Sequence, residues 1–216
     1  VSTIVAFDET EVTTDPTRLL EFQDGGIWMA RAVGEPLGAQ NLTLSAFSRV
    51  NQDSPLRLAA AATINGPTPN DPATLEVGPV YSSELLDLWA VLSTGTPVTI
   101  PWIVEQLARL RTVQQGRLLA TGGVDSLVTV PYGGKFGLLV DVGVMESGDN
   151  LELRLKTAGA GPGSTVVVDK YAMLQDAQDQ GIYFLGPCFA RTSFEPTLEQ
   201  SAGDPRTYDW KVVLVE

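Results

Sequence analysis

Between Gly134 and Lys156 the chain reads GKFGLLVDVGVMESGDNLELRLK, and its apolar residues recur at every second position. Phe136, Leu138, Val140, Val142 and Val144 fall on one side of the first run, with Gly137, Leu139, Asp141, Gly143 and Met145 on the other. In the second run Leu151, Leu153 and Leu155 alternate with Glu152, Arg154 and Lys156. A period of two puts one set of side chains on one face only if the backbone is extended. With the turn formers of 146–150 between them, the two runs predict a β-hairpin with one face committed to a core. The face bearing Gly137, Asp141 and Gly143 is left for solvent or for an interface, since glycine permits another backbone to approach closely.

The rest of the chain is read outward from this stretch. Strands are expected at 2–7, 19–22, 27–33, 41–47, 56–64, 117–120, 125–130, 164–170, 181–191 and 208–215. The four alanines at 59–62 suit a helix as well, but Pro55 and the proline-rich 65–72 leave little length for one. Two helices are expected near 83–92 and 101–112. Ser82-Ser-Glu begins the first with a capping residue and an acid. Pro101 sits at the first turn of the second, where Ile103, Leu107 and Leu110 form a stripe and Glu105 and Arg109 an i, i+4 pair. A short helical turn is expected at 171–178. No internal repeat and no break in composition is visible. The fold class expected is all-β with a short helical insertion: an antiparallel two-sheet sandwich, jelly-roll-like, in one domain over 1–216 with the insertion at about 82–113.

Composition narrows the chemistry. The chain has 216 residues, no histidine, one cysteine, 26 acidic and 14 basic residues, and a net charge of −12. Lack of histidine removes Ser-His-Asp and Cys-His catalysis and His-ligated zinc. One cysteine, Cys188, allows no intrachain disulfide, and its apolar surroundings at 182–190 mark it as a small buried residue. The acidic balance and the lack of a Lys/Arg cluster disfavour direct nucleic-acid contact. No run is long enough to insert in a membrane as a helix, and 1–7 lacks the basic start of a signal peptide. A start at Val1 fits removal of an initiator methionine or of an upstream presequence.

The remaining motifs read as structure. The glycine-rich 158–165 lacks the lysine of a phosphate loop and leads into a strand, so it is a plain loop. The acids of 176–181 lack the ligand spacing of a calcium loop. Asp141 interrupts an apolar run and is the one carboxylate that invites a catalytic reading, but no partner acid can be chosen for it. Trp28, Trp89, Trp102 and Trp210 are expected mainly in the core, though exposed tryptophans would suit sugar stacking. Asn41-Leu42-Thr43 matches a glycosylation acceptor without any export signal to support it. No catalytic, cofactor-binding or metal-ligating residue is assigned, and no cofactor is expected.

In architecture the strand pattern resembles a viral or phage shell component: a jelly roll with helices inserted between strands, without a family-defining motif. The resemblance implies a structural virion protein, a capsid or outer-shell decoration subunit of a virus or bacteriophage. It would self-associate into a symmetric assembly or bind other shell proteins, away from the genome, and its contact arms would be the loops at 65–72, 158–163 and 201–205. It would act without catalysis and reside in the virion after synthesis in the host cytoplasm. Two other readings stand beside it: a carbohydrate- or receptor-binding β-sandwich module, and a glycoside hydrolase using two carboxylates.

Overall fold

The computed structural model describes residues 2–34, 40–65, 73–82, 84–158, 166–176 and 181–216. All but the first residue of the loop at 65–72 and of the glycine-rich segment 158–165, and most of the acidic turn at 176–181, lie outside the described residues. Among the described residues fifteen strands follow one another and no helix occurs, so none is long and apolar enough to cross a membrane. They are β1 (Thr3–Val12), β2 (Thr17–Phe22), β3 (Gly26–Gly34), β4 (Asn41–Ser48), β5 (Arg57–Asn65), β6 (Ala73–Ser82), β7 (Leu86–Leu92) and β8 (Val98–Ala120), then β9 (Val124–Ser126), β10 (Gly134–Asp141), β11 (Asn150–Ala158), β12 (Val166–Gln175), β13 (Ile182–Ala190), β14 (Ser193–Ala202) and β15 (Arg206–Val215).

The expected helices near 83–92 and 101–112 are therefore strands, β7 and β8. In β7 the residues that reach the core are Leu86, Leu88, Ala90 and Leu92, a period of two that the apolar Trp89 and Val91 between them disguise as helical density. In β8 the buried set is Ile100, Trp102, Val104, Leu110 and Ala120. Leu107, the middle of the supposed helical stripe, is 39% exposed, and Glu105 pairs not with Arg109 but with Arg31, at 2.6 Å. The helical turn expected at 171–178 is likewise extended to Gln175, as part of β12.

The chain divides into two compact units, residues 1–48 with 58–109, and residues 49–57 with 110–216. β8 supplies the last strand of the first unit with its residues 98–109 and the first strand of the second with 110–120. Unit one has sheets ordered β1-β8-β3-β6 and β2-β7-β4-β5; every registered pair is antiparallel. Its core lies between these sheets, where Trp28, Ile100, Trp102 and Val104 meet Leu42, Leu44, Leu86 and Leu88. Unit two has sheets ordered β13-β10-β15-β8 and β12-β11-β14-β9, again antiparallel. Phe136, Leu138, Val140, Tyr208 and Trp210 pack there against Leu151, Leu153, Leu155, Phe194 and Leu198. Each unit is a sandwich of two antiparallel sheets.

This placement corrects the hairpin. β10 and β11 do not pair; they lie in opposite sheets of unit two, and their alternating apolar side chains face each other across its core. The face expected to be open is also covered, since Leu139 and Asp141 are both buried.

The two units repeat each other residue by residue, although the sequence shows no evident repeat. In unit one Trp28 pairs with Val80 and Ala30 with Val77, around a bulge. In unit two Phe136 pairs with Cys188 and Leu138 with Leu185, around the same bulge 108 positions on. The bulge between Ile4 and Ala6 on β1 recurs where Gln114 and Thr112 pair with Val212 and Val213. Gly78 and Gly186 occupy the same place, with φ of 136° and 140°. A Cβ at Gly78 would stand 2.7 Å from the Trp28 carbonyl oxygen, and one at Gly186 would stand 3.0 Å from Gly137 Cα, so both sites require glycine. The sequence trace of this repeat is sparse: Ser93, Gly95, Pro97, Thr99, Trp102 and Val104 return as Ser201, Gly203, Pro205, Thr207, Trp210 and Val212.

Candidate functional site

The repeat allows one sheet face to be compared in the two units. On unit two, the outer face of the β10-β15-β8 sheet carries a polar cluster covered by the segment 49–57 of the same unit. The Asn51 side-chain amide donates to the Gly116 carbonyl at 3.3 Å, and the Ser54 hydroxyl donates to Asp209 at 2.7 Å. Arg57 Nε donates to both oxygens of Asp141 at 3.1 and 3.2 Å. Arg117 grips Asp209 through two bonds of 2.6 and 3.1 Å.

The two carboxylates differ in setting. Burial drives the Asp141 carboxyl above its ordinary value, against the pull of Arg57 and the Gly143 N–H at 3.0 Å. Burial pushes Asp209 the same way, but the bonds from Arg117 and Ser54 overcome it and hold its carboxyl below the ordinary range. Asp141 thus serves as the buried anchor of Arg57, and Gly143 leaves room for that arginine, since a Cβ there would come 2.8 Å from its Nε.

Among the described residues, no segment covers the matching face of unit one. Residues Asp8, Glu9, Pro101 and Ile103 stand where unit two has Gly116, Arg117, Asp209 and Lys211. Instead of a covering segment there is an open groove of about 480 Å³ lined by Phe7, Asp8, Glu9, Arg31, Pro101, Trp102 and Ile103. Phe7 is 79% exposed. Arg31 is held by Glu76 at 2.7 Å and Glu105 at 2.6 Å, and Trp102 Nε1 donates to the Thr10 hydroxyl at 2.9 Å. The groove therefore offers an apolar floor and one carboxylate, that of Glu9, which shares a face with Phe7, Pro101 and Ile103, whereas Asp8 stands opposite the buried Trp102. As adjacent residues of an extended strand these two acids point to opposite faces, so they are not a facing acid pair.

A third feature is one of the sheet edges of unit two. β12 ends its sheet, and Val166, Val167, Val168, Tyr171 and Met173 on it are each between 49% and 55% exposed. The outward face beside it carries the ion pairs Arg154–Glu152, Arg154–Glu199 and Lys156–Glu195.

The residues singled out in the sequence fall as follows. Trp28, Trp102 and Trp210 are core residues, while Trp89 is partly buried beneath the Arg18 guanidinium, 5.0 Å from its ring centroid. Cys188 is buried, and burial pushes its thiol up to about 12. The turn at 201–205 is closed by Gln200, whose amide donates to the Ala202 and Asp204 carbonyls. The groove and the β12 edge were not foreseen. Phe7 and Val166–Val168 looked like ordinary strand residues, and no local pattern distinguishes an inner from an outer position on an apolar edge strand.

No family model matches the chain, and no curated protein matches its sequence. Among solved structures it is similar to the PBSX exported protein XepA at 10% identity, covering 100% of this chain and 86% of that one, with a TM-score of 0.35. The N-terminal tandem CBM22 domains of Paenibacillus barcinonensis Xyn10C give 8% identity, coverage of 99% and 93%, and a TM-score of 0.30. The broad bean stain virus structure gives 10%, 98% and 88%, with a TM-score of 0.29. Similarities this low identify neither family nor activity.

Proposed function

We propose that the chain is a structural subunit of a virus or phage particle, a self-assembling capsid or outer-shell decoration protein that acts through subunit contacts rather than catalysis. Each unit pairs its first strand with its eighth, its second with its seventh, its third with its sixth and its fourth with its fifth. That is one long folded-back ribbon rolled into two sheets, the plan of a jelly roll, which shell and lectin domains share. Fold alone does not choose between these roles. The observation that favours the shell is the exposed apolar edge of β12, because an unprotected edge strand pairs readily with another chain. The net charge of −12 agrees with a place away from the genome. Electron microscopy of the purified protein, run alongside its native mass, tests the reading: defined oligomers or particles support it.

The bare groove of unit one supports a second reading, carbohydrate binding. An exposed aromatic ring beside the Glu9 carboxylate suits the apolar face and hydroxyl donors of a sugar. On a glycan array the chain would then bind a defined set of sugars, and Phe7→Ala would abolish the signal while leaving the fold intact. An empty array would remove this reading.

A further inference from the structure

We propose that β12 pairs with β12 of a second copy, antiparallel about a two-fold axis at Asp169–Lys170, to form the dimer from which larger assembly proceeds. The inference rests on the self-assembly reading and names its first contact. β12 carries a bulge: Leu155 faces Lys170 and Lys156 faces Val168, so Asp169 is the extra residue. Side chains alternate on either side of it. Ala172 and Leu174 point to the core, whereas Tyr171 and Met173 lie with the outward residues Arg154 and Glu152 of β11. Beyond the bulge Val168 and Val166 stand opposite the outward Lys156 and Ala158, and Val167 stands opposite the inward Thr157.

Two such strands can meet in a register that respects both faces. With the axis at the bulge, Val168 meets Tyr171 of the second copy, Val166 meets its Met173, and the inward Val167 meets its Ala172. By symmetry each pair forms twice. All five exposed apolar residues are then engaged, and Val168 with Tyr171 makes the β-branched–aromatic kind of cross-strand pair that stabilises sheets. The same register gathers two aspartates and two lysines around the axis. Asp169 and Lys170 are exposed and among the described residues neither forms an ion pair, so their charges are placed to match across the axis. The contact is isologous and closes as a dimer.

Sedimentation equilibrium over a concentration series tests this with three proteins: the wild type, Lys170→Asp, and the exchange Asp169→Lys with Lys170→Asp. The single variant sets four acids around the axis and is expected to weaken dimerisation by about tenfold or more. The exchange restores two charges of each sign and recovers the wild-type constant. Circular dichroism of the variants is expected to match the wild type, since both side chains are exposed. If the wild type associates and Lys170→Asp associates equally well, the β12 contact is wrong and the assembly reading survives. If the wild type never associates, both fall.

Discussion

Asp209 and Asp141 show how far one residue's surroundings set its behaviour. Both are buried beneath the segment 49–57, yet their carboxyls shift in opposite directions. Asp209 is held below its unfolded value of 3.8. Its contribution is therefore present above that value and is lost as the pH falls through the folded pKa. Asp141 is raised above 3.8, so its ionised form is disfavoured by folding and its protonation as the pH falls favours the fold. Acid denaturation monitored by tryptophan fluorescence should accordingly lose stability below about pH 4 in the wild type. Asp209→Asn should show a flatter profile in that range and lower stability at neutral pH; an unchanged profile would mean that Arg117 and Ser54 do not stabilise the carboxylate. Sequence singled out Asp141 because it broke an apolar run. It did not indicate Arg57, because the two are 84 residues apart and meet only through the fold.

At the scale of elements, most strands were legible because period-two alternation survives wherever one face is buried. β4 and β11 are the clearest instances, with buried and partly exposed residues in strict alternation. Alternation does not say which strand pairs with which, and this is why β10 and β11 looked like a hairpin when they are facing strands of two sheets. β7 and β8 were misread for a different reason. Their outward positions are also apolar or long-chained, which erases the two-fold contrast, and Pro101 at a plausible helix start reinforced the error. Substitution separates the two descriptions. In the strand, Val104→Lys places a charge in the core of unit one and should prevent folding, whereas Leu107→Lys sits at an exposed position and should cost less than about 0.5 kcal/mol in urea denaturation. A helix with its stripe on Ile103, Leu107 and Leu110 demands the reverse order.

Over the whole molecule, the repeat at 108 positions was almost invisible in sequence because the fold conserves roles rather than residues. Trp28 is replaced by Phe136, Ile100 by Tyr208 and Leu86 by Phe194, each fully or almost fully buried in its own core. Sites with a backbone requirement, such as Gly78 and Gly186, kept their identity, as did a few core residues such as Trp102 and Val104 at Trp210 and Val212. The outer sheet faces kept least: the one in unit two is covered through Arg57, Asn51 and Ser54, and the one in unit one is an open groove. A chain built of two such units, with an unprotected apolar edge and a strongly acidic surface, is suited to work by its contacts. Native mass by multi-angle light scattering over a range of concentrations tests that most directly. A chain that works by self-association has a mass that rises with concentration to a defined multiple of the 23.1 kDa chain. A mass that stays at 23.1 kDa throughout would contradict self-association.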